Sequence, residues 1–142
     1  MRLHSSQPAL FALRLRIPAW ARPGEVRVSV NGKRIPAPMQ NGFLRLQRRW
    51  RNGDRIQLEL ELPVLLQPID PDHPNTVAVV RGPLVLFAVG DKPSSISREQ
   101  LLAAERRSDE ADWRVEASSG VVLLRPFSSI NGEPYRTYLN VD

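Results

Sequence analysis

Asp70, Asp72 and His73, in the stretch PIDPDHPN, come nearest in this sequence to a metal or acid–base site. Asp-x-Asp beside one His supplies carboxylate and imidazole donors. It gives too few of them for a closed zinc or calcium site, because neither a twelve-residue calcium loop nor a second nearby His accompanies it. These residues therefore read as solvated acids of a loop, with a weak ion site as the alternative. Glu59 and Glu61 lie two apart on a strand-like stretch and so share a face, yet an open sheet surface does not create the displaced pKa that general acid catalysis needs. Trp20, Phe43 and Trp50 offer another chemistry, since flat aromatic rings stack on sugars. Each also sits where a strand ends, a common packing position for amphipathic aromatics.

Other chemistries are absent from the pattern. No Cys occurs, so disulfides, thiolate metal sites and a cysteine nucleophile are all excluded. The sequence has no Gly-rich phosphate loop, no Ser-His-Asp arrangement and no dinucleotide fingerprint, and with only His4 and His73 it has little imidazole to build with. No catalytic residue and no cofactor are assigned. The apolar runs are far shorter than the ~20 residues a membrane helix needs, and Met1 to Leu10 lacks the apolar stretch of a signal peptide. A soluble chain, cytoplasmic by default and without a membrane partner, is the expectation.

The net charge of +5 is unevenly placed, with +10 over Met1 to Arg55 and −5 over Ile56 to Asp142. Nucleic acid is thereby raised as a partner. The cations are 18 Arg and only 2 Lys, the ratio a GC-rich genome produces, which weakens any argument from charge alone.

The elements that would position these residues are strands. Phe11, Leu13, Leu15 and Ile17 alternate with polar or small residues, as do Val26, Val28 and Val30, Phe43 to Gln47, and Ile56, Leu58, Leu60 and Leu62 in Arg55 to Leu62. Asn31-Gly32 and Asn52-Gly53 mark tight turns, the first closing a hairpin onto Lys33 to Ile35. Arg14, Arg16, Arg27 and Arg45 then point outward and are expected to share a sheet surface with Glu59 and Glu61. In TVAVVRGPLVLFAVG, Val77, Val79, Leu84, Leu86 and Val89 suggest strands buried on both sides, bent at Gly82-Pro83. Ser97 to Arg107 reads as a short helix, with Ser97 and Gln100 at capping-box spacing. Trp113 to Ala117, Val121 to Arg125 and Tyr135 to Asn140 read as closing strands. The expected class is all-β: an antiparallel, jelly-roll-like β-sandwich with one short peripheral helix. Residues 1–10 form an N-terminal segment, disordered or a remnant edge strand, and residues 11–142 one sandwich domain.

The ordered segments LRLRIPAWA, VSVNGKRI, GFLRLQRRWRNGDRIQLELELPV, VAVVRGPLVLFAVGD and LLRPFSSINGEPYRTYL resemble the C-terminal β-sandwich region of glycoside hydrolase family 127, the β-L-arabinofuranosidase-like proteins. The likeness spans roughly Phe11 to Asn140, and its most specific pieces are Arg16 to Trp20 and Arg81 to Leu84. That resemblance implies an (α/α)6 barrel elsewhere, holding a cysteine nucleophile, a cysteine- and glutamate-bound zinc and an acid–base glutamate. None of those motifs maps onto this sequence. The implied role is a non-catalytic accessory sandwich serving structural support, domain docking or oligomerisation, with the barrel as partner in cis or in trans. Two further readings are a carbohydrate-binding module using Trp20, Phe43 or Trp50, and, more weakly, a nucleic-acid binder. A sheet edge near Phe11 to Ile17, left unpaired, would favour a homodimer.

Overall fold

The computed structural model describes residues 1–36, 38–90, 95–106, 112–118 and 120–142. They form two compact units, Met1–Leu62 and Pro63–Asp142. Each has its own buried cluster.

The first unit is a small sandwich of two three-stranded antiparallel sheets. One sheet orders β1 (Ala9–Arg16), β5 (Phe43–Trp50) and β4 (Met39–Gln40); the other orders β3 (Lys33–Arg34), β2 (Arg27–Val30) and β6 (Ile56–Glu59). Period-two alternation sends Leu44, Leu46 and Trp50 of one sheet and Val28, Val30 and Ile56 of the other into a shared core with Ile17 and Ala21. Removing those side chains from water is what holds sheets this small together, at roughly 25 cal/mol per Å2 of apolar surface.

Turn chemistry fixes the register. Asn31 and Gly32 both take positive φ, 53° and 78°, which makes the two-residue turn that pairs Val30 with Lys33. Asn41-Gly42 repeats it at φ 51° and 75°, pairing Gln40 with Phe43. β6 is shorter than its alternating sequence, because β2 offers only Arg27 to Val30 to pair with it. The N-terminal residues are tied to this unit: the Leu3 N–H donates to the Asp54 carbonyl at 2.8 Å, the Gly53 N–H donates to the Leu3 carbonyl at 2.9 Å, and the Met1 amino group donates to the Ile56 carbonyl at 2.8 Å.

The second unit is one curled antiparallel sheet. Its strands are β7 (Val64–Pro68), β8 (Thr76–Arg81), β9 (Leu84–Val89), β10 (Glu105–Arg106), β11 (Trp113–Ala117), β12 (Gly120–Pro126), β13 (Tyr135–Arg136) and β14 (Tyr138–Asn140). Its inner face buries Val77, Val79, Leu86, Ala88, Trp113, Val115, Leu124 and Leu139 beneath α1 (Arg98–Leu102), whose Leu101 is fully buried. Ser97 caps α1 with the reciprocal Ser97–Gln100 pair that the sequence predicts.

The helix ends earlier than that spacing suggests. The backbone turns at Ala103 and Ala104, and Glu105 pairs with Arg114 as a strand; Arg107 lies outside the described residues. A second departure concerns β8 and β9, expected to be covered on both sides. Gly82-Pro83 does join them, with Arg81 opposite Leu84, but Leu84 and Val85 remain exposed and Val80, Phe87 and Val89 half-buried. The inner face is sealed at Val77, Val79, Leu86 and Ala88 but open at Leu84, and on the outer face of these two strands Ala78 is buried. The closing strand also splits at Thr137, one half pairing β9 and the other β8.

Candidate functional site

The three aromatic candidates separate. Trp50 is 1% exposed, and its Nε1–H donates to the Phe11 carbonyl at 3.1 Å. It is a core residue of the first unit, so it presents no ring face to a sugar. Trp20 is half-buried against the same cluster, and Phe43 is 38% exposed on the outer face of β5. Both keep some open surface, but they are not brought together with Trp50 as one platform.

Asp70 and His73 meet in the loop between β7 and β8. The His73 backbone N–H donates to Asp70 Oδ1 at 2.8 Å, and the His73 Nδ1 lies 2.8 Å from the same oxygen. This is the usual use of Asp in a proline-rich turn, where the carboxylate substitutes for a backbone acceptor. Asp72 is exposed, and no three His, Cys, Asp or Glu residues gather among the described residues.

The expected charge-laced sheet surface is only half present. Arg27 lies opposite Glu59 on β6 and 3.6 Å from Glu61. Arg14, Arg16 and Arg45 belong to the other sheet. There Arg14 lies directly opposite Arg45, and neither β1, β4 nor β5 carries an acid. The sequence pattern shows which residues face outward but not which strands are neighbours.

Two charged knots went unread in the sequence. In the first, Asp54 is the buried acid of the first unit. It accepts from Asn31 Nδ2 at 2.8 Å and from the Arg51 N–H at 2.9 Å, while Asn31 Oδ1 accepts from the Arg55 N–H at 2.8 Å. Two turns distant in sequence are thereby joined. The Asn31 side chain and the Arg51 backbone together hold the Asp54 carboxyl below its usual range. RNGD carried a turn signal, but nothing local marks its Asp as buried.

In the second knot, Arg125 of β12 donates through Nε and Nη2 to the two oxygens of Asp112, each at 2.7 Å, and through Nη1 to Glu133 at 2.6 Å. Arg125 and Asp112 are 18% and 17% exposed. Hydrogen bonding from Arg125 holds Asp112 below the usual carboxylate range, and Arg125 is raised in turn. Glu133 is also lowered, by its own backbone N–H and then that of Asn131. Beside this knot runs a groove of about 610 Å3 lined by Asp112, Arg114, Leu123, Arg125, Ser129 and Asn131. Tyr135 packs edge-on against Phe87 and Phe127, which are tilted to each other, with centroids 5.3 to 5.9 Å apart, and Phe127 and Tyr135 stay 61% and 46% exposed. The acids with displaced titration in both knots are fully engaged by neighbours, so neither offers the free acid and partner base of a hydrolytic pair.

Comparison with known proteins fits this picture. Residues 1–62 match the family described as beta-L-arabinofuranosidase, GH127 middle domain, over the whole first unit, Met1–Leu62. Residues 1–62 belong to that GH127 family. A non-reducing end beta-L-arabinofuranosidase of Bifidobacterium longum subsp. longum is 32% identical over 103 residues, covering 68% of this chain and 15% of that protein. The chain thus spans about a seventh of that relative's length.

Solved GH127 structures share the fold. A GH127 beta-L-arabinofuranosidase from Geobacillus stearothermophilus T6 superposes with a TM-score of 0.70 at 19% identity, covering 98% of this chain and 28% of its own. A second GH127 beta-arabinofuranosidase gives 0.65 at 22% identity, covering 99% of this chain and 29% of its own. At those identities the likeness is one of fold. The chain is similar to a region of GH127 proteins, and among its described residues no helix is long and apolar enough to cross a membrane.

Proposed function

We propose that this chain is a non-catalytic accessory sandwich region whose role is to support and dock a catalytic barrel of an arabinofuranosidase-type GH127 protein, in cis or in trans. The observation that carries this reading is the use made of its displaced acids. Asp54, Asp112 and Glu133 are held in structural contacts, and Glu99 is lowered by its own backbone N–H and by Ser97 in the first turn of α1, so the acids whose pKa values are shifted are fixing turns, strands and a helix start rather than poised over a cleft.

Phe127, in the turn after β12, and Tyr135, on β13, supply the place for docking as an exposed aromatic surface. The unpartnered outer edge of β1 supports a second copy as a further partner, since among the described residues β1 pairs with β5 alone. Sugar stacking on Phe43 or Trp20 remains the second reading, favoured by their open surface.

Purified chain should give no turnover of an aryl β-L-arabinofuranoside above buffer, and should co-elute with a separately expressed GH127 barrel. Phe127→Ser together with Tyr135→Ser should abolish co-elution and leave the fold intact. Turnover lost on changing a single carboxylate would overturn the non-catalytic reading; co-elution indifferent to the double change would overturn the docking surface.

A further inference from the structure

The outer face of the β1–β5–β4 sheet carries a charge arrangement that folding alone does not account for. Strand register places Arg14 opposite Arg45, Arg16 opposite Phe43 and Arg49 opposite Leu10, and all four arginines are exposed. The three strands contain no acid, and among the described residues none of these four arginines forms an ion pair. Like charges directly opposite each other in a sheet destabilise it by a few tenths of a kcal/mol or more. The other sheet of the same unit shows the ordinary solution, Arg27 against Glu59 and Glu61. A fold that neutralises one face and leaves the other bare has a use for the bare one.

We propose that this face binds an acidic glycan, a chain of sugars bearing carboxylates. The inference rests on the GH127 assignment for the carbohydrate and on the sheet for the charge. Guanidinium forks pair with planar carboxylates through two parallel hydrogen bonds, which a bare ammonium does not do. Residues two apart on a strand repeat at about 6.8 Å and neighbouring strands lie about 4.8 Å apart, so the four arginines line a strip two strands wide, from the Leu10–Arg49 pair to the Arg16–Phe43 pair, suited to a linear polyanion lying along the strands. Phe43, next to Arg16, adds a ring face for a sugar, and Gln47 an amide for hydroxyls.

Nucleic acid fits less well. Surfaces that bind single strands stack successive bases on several aromatic rings, whereas this face has one, and no helix or protruding ribbon here enters a duplex groove.

The test is affinity electrophoresis of the full chain in gels containing polygalacturonate, neutral arabinan or duplex DNA at about 50 mM salt, where charge is only moderately screened. Polygalacturonate should retard the chain and arabinan should not. The retardation constant should weaken by about tenfold or more in the Arg14→Gln/Arg45→Gln double variant, a loss of about 1.4 kcal/mol. Arg27→Gln should leave it unchanged. The double variant should melt no lower than the parent, because it removes a like-charge pair; Arg16→Gln/Arg49→Gln provides an independent pair. No retardation by polygalacturonate, retardation equal in both double variants and the parent, an equal loss in Arg27→Gln, or tighter binding to DNA than to polygalacturonate would each overturn the proposal. Because the readout is binding by this chain alone, failure of barrel docking leaves it standing, and the reverse holds.

Discussion

The guanidinium of Arg125 meets both carboxylate oxygens of Asp112, Nε and Nη2 each 2.7 Å away, while its remaining nitrogen holds Glu133 at 2.6 Å. One cation thus joins the start of β11 to β12 and to the loop carrying Asn131 and Glu133. Replacing Arg125 with Leu leaves two acids facing each other with reduced solvent access. The expected loss is about 1.5–3 kcal/mol, the range for hydrogen bonds to charged groups. Urea unfolding measures it, and a double-mutant cycle with Asp112→Asn should show coupling. Additive single effects would mean that the two side chains do not act as a unit.

Acid should weaken the fold through the same knots. Asp54, Asp112 and Glu133 all titrate below their ordinary values of 3.8 for Asp and 4.5 for Glu. The folded state therefore binds fewer protons than the unfolded chain in that range. Their contribution is complete above the ordinary values and is lost as pH falls through the lowered ones. Melting temperature should be level from about pH 7 to pH 5 and fall below about pH 4, with a shallower fall in Asp112→Asn. A fall beginning near neutrality would point to other groups.

Much of the fold was legible because its signals are local. Asn31-Gly32 states its own turn, Ser97 and Gln100 their own cap, and alternation in Leu44, Leu46 and Trp50 its own buried face. Asn41-Gly42 carried the same signal as Asn31-Gly32 and could have been read by the same rule. The knots were not legible in this way. Asp54 meets Asn31 across 23 residues and Arg125 meets Asp112 across 13, and which acid a strand's arginine finds depends on strand order. The stacking candidates failed similarly at Trp50, whose strand-end position was visible but whose burial under Phe11 and Arg48 was not.

That difference among the tryptophans is measurable. Trp50 and Trp113 are buried, and Trp20 is half-buried. Acrylamide quenching should act mainly on Trp20 and should drop sharply in Trp20→Phe, while Trp50→Phe changes it little. Any sugar that quenches native fluorescence by contact should then do so only where Trp20 is present. Quenching that survives Trp20→Phe would place a sugar elsewhere or signal a change in the core.

The open edge of β1 gives the last prediction. β1 pairs with β5 along all eight residues from Ala9 to Arg16, yet among the described residues no strand lies on its other side. Leu10, 70% exposed on that strand, leaves an apolar side chain beside backbone donors and acceptors that no described strand pairs, a combination that recruits another strand. Light scattering at high micromolar concentration should report a mass above that of the monomer. Leu10→Lys places a charge on the edge at a position that packs against little, so it should return the mass to the monomer with a stability change within about 0.5 kcal/mol. A parent chain that stays monomeric at the highest attainable concentration would show that this edge is satisfied without a second copy.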